Sequence, residues 1–150
     1  MNINTISPDD SKFLKRLNDI DKPPKSLRYI GTLPEHYSMV VSIVGTRRPT
    51  AYGRTVTEQI TAALARKGVI IVSGMALGVD AIAHRTALES GGHTVAVIPS
   101  GLDDPYPKTN QQLARQILTN HDALISEYED GYRPRLYDFL RRNRIVSGLA

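Results

Sequence analysis

The feature that most constrains this chain is its alternation of uninterrupted apolar runs with helical stretches. Met39-Val40-Val41-Ser42-Ile43-Val44, Val69-Ile70-Ile71-Val72, Thr94-Val95-Ala96-Val97-Ile98 and Ala123-Leu124-Ile125-Ser126 do not alternate apolar with polar residues. Strands buried on both faces read this way. Between them lie segments of helical period. Residues 53–67 place Val56, Ile60, Ala63, Leu64 and Lys67 on one side and end at Gly68. Residues 78–90 end at Gly91-Gly92, and a third helix is expected from an Asn110 cap to about Thr119. A last short helix is expected from about Arg141 to the end. Apolar strands alternating with helices require a mainly parallel sheet covered on both faces, and right-handed crossovers then give a Rossmann-like, doubly wound α/β fold.

The first 38 residues have a different pattern. Ser7 suits an N-cap, Pro8 suits the first helical position, and Phe13, Leu14, Leu17 and Ile20 form one stripe. A short N-terminal helix is therefore expected over residues 7–20, ended by Asp21-Lys22-Pro23-Pro24. Residues 25–38, with Gly31 and Pro34, read as an irregular connection. The expected division is residues 1–38 as helix and connection, and residues 39–150 as core. With 150 residues one layered core can be buried without a staple. Zero cysteines exclude a disulfide scaffold, thiol catalysis and a thiolate-held metal. No apolar run approaches the roughly 18–20 residues of a membrane span. The opening MNINTISPDD has neither a basic nor an apolar targeting region, so a cytoplasmic protein is expected.

In such folds ligands bind beyond the carboxyl ends of the strands. Three strand-to-helix junctions are built alike, from small residues at a strand end: Gly45-Thr46-Arg47, Ser73-Gly74-Met75-Ala76-Leu77-Gly78 and Ser100-Gly101-Leu102-Asp103. Small residues let a ligand approach the backbone, and helix N-termini offer N–H groups and the positive end of a dipole. Arg47 and Arg48 add full charge at the first junction. One such junction is explained by tight turns alone, but three on one sheet edge point to an anion site.

The identity of the anion is narrowed by exclusion. The dinucleotide fingerprint G-x-G-x-x-G is absent, because Gly74 and Gly78 are spaced G-x-x-x-G, and the second strand ends in Ser73 rather than a ribose-binding acid. There is no P-loop. No nucleophile elbow surrounds Ser73 or Ser100. The four histidines show no metal-ligand spacing, and no cofactor is expected. Asp80 and His84 lie one helical turn apart, which would allow an acid–base pair, but the simpler reading is a carboxylate complementing the helix dipole beside a packed imidazole.

Charge is uneven along the chain. Residues 131–150 hold five arginines and one aspartate, while the other 14 basic and 14 acidic side chains cancel, so the whole excess of +4 sits at the end. There Tyr128, Tyr132, Tyr137 and Phe139 interleave with Arg133, Arg135, Arg141, Arg142 and Arg144, and Tyr106-Pro107-Lys108 adds another aromatic–basic pair. Aromatic faces that stack on unpaired bases beside arginines that hold phosphates make a binder of single strands. Tyr128 is assigned to the core.

Taken in order, these motifs resemble the DNA-processing protein A (DprA, or Smf) family. The resemblance is carried by Val44-Gly45-Thr46-Arg47, Ser73-Gly74-Met75-Ala76-Leu77-Gly78-Val79-Asp80-Ala81-Ile82-Ala83-His84, Ser100-Gly101-Leu102-Asp103, Tyr106-Pro107, Ile125-Ser126-Glu127-Tyr128 and Arg142-Asn143-Arg144-Ile145. It covers about residues 25–150. It implies a Rossmann-like domain, without turnover chemistry, that binds single-stranded DNA during natural transformation, works as a homodimer and helps load a RecA-type recombinase. Residue by residue, it implies Arg47 as a phosphate anchor and the amides of Gly45, Ser73-Gly74 and Ser100-Gly101 as pocket lining. Lys108 and Arg142-Asn143-Arg144 would extend the pocket, with Phe139 as a stacker; Thr46 stands where Ser is commoner, and Leu140 replaces a common Pro. The family continues past position 150 into further strands, so the core is expected to be incomplete at its C-terminus. Two other readings stay open: a small-nucleotide-binding enzyme or sensor using the same pocket, and an interaction module that docks through an unpaired sheet edge.

Overall fold

The four apolar runs form four adjacent strands of a six-stranded sheet in the computed structural model, which describes residues 1–150; the Met39–Val44 run, expected to be buried on both faces, is instead the sheet's edge, with Met39 and Val44 exposed. In chain order the elements are β1 (Asn4–Ile6), β2 (Leu27–Gly31), β3 (Val40–Ser42), α1 (Ala51–Arg66), β4 (Ile70–Ser73), α2 (Val79–Glu89), β5 (Thr94–Val97), α3 (Gln111–Thr119), β6 (Ala123–Ser126) and α4 (Leu136–Gly148). The strand order is β1-β2-β6-β5-β4-β3. Strands β3, β4, β5 and β6 pair in parallel, whereas β2 runs antiparallel to both β1 and β6. The molecule is an α/β, Rossmann-like fold with helices on both faces of a mixed sheet.

Why both faces are covered follows from the two-residue period of a strand. Ile70 and Val72 of β4, Val95 and Val97 of β5, and Ala123 and Ile125 of β6 point to one face, where they meet Phe13, Leu14 and Leu17 and the α4 residues Ile145 and Val146. Ala96 and Leu124 point to the other face and pack against α2 and α3 through Ala81, Leu113, Ala114 and Ile117. Ile71 joins them on that face, with Ala65 of α1 and Ala83 and Ala87 of α2.

The N-terminal segment departs from expectation. Residues 7–20 form no α-helix; they make two 3-10 turns, Pro8–Asp10 and Lys15–Asp19. Ser11, extended at φ −135° and ψ 125°, breaks the run between them. The capping role of Ser7 holds, since its side chain accepts from the Asp9 N–H. The stripe is also buried as expected, with Phe13, Leu14 and Leu17 fully shielded from solvent. Residues 25–38 are not wholly irregular, because Leu27–Gly31 is β2, registered with Arg28 opposite Ser126. The first 38 residues thus contribute two strands to the sheet that the rest of the chain builds.

Two helices are shifted. In α1 the buried positions are Thr61 and Ala65, while Ile60 is 51% exposed. Small residues let α1 lie close to α2, as the Ala65–Ala83–Ala87 cluster shows. Helix α4 begins at Leu136, five residues before Arg141, because Asp138 in its first turn accepts from the Arg135 N–H at 2.8 Å. That earlier start brings Phe139 onto the helix.

The N-terminal turns should therefore behave as part of the core. Phe13 is fully buried and meets Tyr37 edge-on, with ring centroids 5.7 Å apart. Phe13→Ala is expected to cost about 3–5 kcal/mol of unfolding free energy in urea titration. A loss below about 1 kcal/mol would mean that the segment packs only loosely on the sheet.

Candidate nucleic-acid interface

At the carboxyl ends of β3, β4 and β5 the three junctions turn out unlike one another. The first is open. Gly45, Thr46, Arg47 and Arg48 are all exposed, and the N–H groups of Gly45, Thr46 and Arg47 donate to nothing within the chain. The Thr46 hydroxyl accepts from the Arg48 N–H at 3.1 Å, which sets the turn. Its carbonyl accepts from Val79 N–H, at the start of α2. Gly78, at φ +80°, makes this possible: a Cβ there would meet the Thr46 and Arg47 carbonyls.

The second junction already holds an anion of its own. Asp80, 5% exposed, accepts from the Gly74 N–H at 3.1 Å and the Ala76 N–H at 3.3 Å. Beside it lies Arg142, also 5% exposed, whose Nη1 donates to the carbonyls of Gly74 at 2.6 Å and Val97 at 2.9 Å. The Gly74 residue is thus held at both ends, its N–H by Asp80 and its carbonyl by Arg142. A Cβ on Gly74 would come within 2.8 Å of both charged groups. The Gly74 amide therefore does not face a ligand. Ser73 is fully buried, with its hydroxyl donating to the Ile43 carbonyl at 2.6 Å. Burial raises the Asp80 pKa above the usual carboxylate value, against the Ala76 N–H and the Arg142 charge. Burial likewise lowers Arg142, and Asp80 opposes it.

The third junction is filled by its own loop. The Ser100 side chain is buried and accepts from the Tyr106 N–H, and the Gly101 N–H donates to the Tyr132 carbonyl. Lys108 is exposed on a 3-10 turn. What this junction brings to the site is Tyr106 and Pro107, not Ser100 or Gly101.

The site itself is an open hollow of about 610 Å³ between the first junction and α4. Gly45, Arg47, Gly74, Phe139, Arg142, Asn143 and Arg144 all line it. A smaller recess, lined by Arg47, Leu77, Pro99, Tyr106, Pro107 and Phe139 among others, adjoins it. Thr46, Arg48, Ser73, Ser100, Gly101 and Lys108 line neither. Phe139 organises the floor: the Arg47 guanidinium lies 5.3 Å from its ring centroid, that of Arg142 6.0 Å, and Tyr106 meets it edge-on at 5.5 Å. Arg47 forms no ion pair. Arg144 is different, gripping Glu127 through both terminal nitrogens at 2.7 and 2.5 Å and donating from Nε to the Lys22 carbonyl. That carboxylate raises its pKa and matches its charge.

Two acids that were not among the expected site residues set this geometry. One is Glu127. The other is Asp138, which accepts from the hydroxyls of Tyr128 at 2.9 Å and Tyr132 at 2.7 Å, rings that stack 4.3 Å apart. The Asp138 pKa falls below the usual value: burial works to raise it, but the Arg135 N–H and the two phenols outweigh that. Tyr128 is accordingly half-buried and structural. A carboxylate three residues into a helix preceded by aromatics was the available signal.

His84 is fully buried. Its Nδ1 lies 2.6 Å from the Thr94 hydroxyl, and its Nε2 has no partner. Burial, helped by the nearby Arg142 charge, pushes its pKa down to about 3. The unfolded chain takes up a proton near 6.5 that the folded one refuses, so stability is full above that pH and is lost as pH falls towards 3. Asp80 and Asp122, raised by burial, act in the opposite direction at the acid end. The difference between parent and His84→Gln should therefore shrink by up to about 1.4 kcal/mol per pH unit below about 6.5 in denaturant titrations. Parallel pH profiles for the two proteins would mean that His84 titrates freely.

Comparison with known proteins matches this architecture. The family described as DNA recombination-mediator protein A matches residues 4–150. Protein Smf of Synechocystis sp. is 42% identical over 97% of this chain and 37% of its own length. DNA processing protein DprA of Bacillus subtilis is 38% identical over 99% of this chain and 50% of its own. The chain thus spans half or less of these relatives. A solved structure of DNA processing protein A from Helicobacter pylori, studied for its single-stranded DNA binding mode, superposes with a TM-score of 0.86 at 35% identity, covering all of this chain and 66% of that one. DprA from Streptococcus pneumoniae gives 0.85 at 34% identity, covering all of this chain and 52% of that one. The chain belongs to the DNA recombination-mediator protein A family.

Proposed function

We propose that this chain binds single-stranded DNA, with little sequence preference, in the hollow between the first junction and α4. The observation that carries the proposal is the Arg47 guanidinium, free of any ion pair and held over Phe139, on a loop whose Gly45 and Arg47 line the hollow with their amides unengaged. Amides and a guanidinium grip phosphate, and an aromatic face accepts any base. The Asn143 side chain and the Arg142 edge border the same hollow. The Thr46 hydroxyl, accepting from the Arg48 N–H, sets the turn of the gripping loop, and Lys108 lies on the exposed surface after Tyr106-Pro107. The single-stranded DNA studied with the Helicobacter pylori relative supports this assignment.

The reading is of a binder rather than a catalyst. Asp80 and His84, the one pair with acid–base spacing, are buried and bonded to the backbone and to Thr94. In the cell we infer the family's role of recombination mediator: receiving strands taken up in natural transformation and passing them to a RecA-type recombinase in the cytoplasm. A homodimer is the expected form where the further strands of the longer relatives are present. No helix here is long and apolar enough to cross a membrane.

Oligo-dT titrations at several salt concentrations test the proposal. Affinity should fall with salt at a log–log slope of about −0.7 per phosphate neutralised. Arg47→Ala should weaken binding to all sequences alike and flatten the slope by about 0.7. Equal affinity and slope for the variant and the parent would remove Arg47 from the site. Saturable binding of a mononucleotide, with none of an oligonucleotide, would instead favour a small-nucleotide sensor.

A further inference from the structure

A second hollow, of about 660 Å³, opens on the other side of the first half of α4. Its walls are the Lys22-Pro23-Pro24-Lys25-Ser26 corner before β2, the Glu127-Tyr128 end of β6, and Tyr137, Leu140, Arg141 and Arg144 of α4. Leu140 and Arg144 also line the first hollow, so the two are neighbours across a shared ridge. The ridge is low in polar obstruction, since Leu140 is 70% exposed.

The charges of this second hollow can be counted. Glu127 is its only acid, and the bidentate Arg144 neutralises it. Arg141 approaches that carboxylate no closer than 3.9 Å and is half-exposed. Lys22 and Lys25 are exposed and have no ion-pair partner. Lys22 and Lys25 therefore face solvent unmatched and Arg141 shares a carboxylate that Arg144 already neutralises, leaving three positive charges in excess beside Tyr137, a residue 64% exposed. Tyr137 makes no aromatic stack within the chain, unlike Tyr128 and Tyr132. A free aromatic face among unmatched cations on two rigid walls is the chemistry of a nucleotide subsite.

We propose that Lys22, Lys25, Tyr137 and Arg141 form a second subsite for the same single strand, reached from the first hollow across Leu140. The inference rests on the single-strand reading above. Tyr137 supplies a stacking face for one base, and the three cations hold the phosphates that flank it. Affinity should consequently grow once a strand is long enough to span the ridge.

The test compares oligo-dT of about 4 and about 12 nucleotides on the 150-residue chain by fluorescence anisotropy. Tyr137→Ala should weaken the longer strand about tenfold and the shorter one less than about twofold, the loss expected for one stacked base. Lys25→Ala combined with Arg141→Ala should flatten the salt slope of the longer strand by about 1.4, that is, two phosphates. All three side chains are exposed, and unchanged melting would show that the variants fold. A 5-iodouracil strand should cross-link to Tyr137 on irradiation only in the longer form. Several results would overturn the subsite alone: equal losses at both lengths, no loss with the longer strand, or a patch whose mutation changes self-association instead of affinity. In each of these the shorter strand still depends on Arg47. A parent chain that binds neither strand overturns the subsite and the single-strand reading together.

Discussion

The burial of Asp80 and Arg142 on either side of Gly74, each bonded to main chain, is the constraint on which the rest of the site depends. Two charges at 5% exposure carry a large desolvation cost. They are tolerated here because each is bonded to main chain rather than left to the other alone: Asp80 to two amides, and Arg142 to two carbonyls. The pair joins three elements, since Gly74 follows β4, Val97 ends β5 and Arg142 lies on α4. Through it α4 is fixed at the carboxyl edge of the sheet. Phe139, one turn earlier on the same helix, is thereby set where the Arg47 guanidinium can rest on it. Removing Asp80 would leave the Gly74 and Ala76 amides without that acceptor, and removing Arg142 would leave the Gly74 and Val97 carbonyls without that donor.

The same arrangement changes how the charge of the chain should be understood. Five arginines in the last twenty residues suggest a strongly basic tail, but the fold distributes them unequally. Arg142 is buried against two carbonyls within the field of Asp80, and Arg144 is paired with Glu127. The positive potential of the main hollow therefore comes from Arg47, which lies far upstream in the chain, and from amides that no count of side chains reveals. Helix α2 contributes indirectly. Its first amide holds the Thr46 carbonyl, and its Asp80 occupies the place where an external anion would otherwise sit.

Legibility in the sequence followed the range of the interactions involved. Strands β4, β5 and β6 were visible because burial on both faces demands apolar residues at successive positions, which is a local pattern; β3 carries the same pattern at the half-exposed edge. Strands β1 and β2 were not. Leu27-Arg28-Tyr29-Ile30-Gly31 is short and mixed, and its partner β6 lies almost a hundred residues away. The Phe13, Leu14 and Leu17 stripe correctly marked buried residues, yet spacing alone cannot separate an α-helix from two 3-10 turns broken at Ser11. At the site, the strand-end glycines located the right edge of the sheet. They could not say that Asp80 would use the Gly74 amide or Tyr132 the Gly101 amide, because both choices depend on contacts between separate segments. Only the first junction was left unoccupied, with Arg47 on it.

If the main hollow holds the single strand proposed above, it has little means of reading sequence. Main-chain amides and a guanidinium resting on an aromatic ring recognise phosphate, and phosphate contacts carry no sequence information. Discrimination between bases requires donors and acceptors aimed at base edges. Of the residues lining the main hollow, Asn143 alone presents a side-chain amide, and its oxygen lies within 3.2 Å of the Arg142 Nε. The ring of Phe139 offers a π-face to any base equally. On the proposed single-strand reading, sequence tolerance follows from how the site is assembled: Asp80, Arg142, Arg144 and Asp138 are engaged in holding Gly74, Glu127 and the tyrosine pair, and what remains free is charge, backbone, the Asn143 amide nitrogen and an aromatic surface.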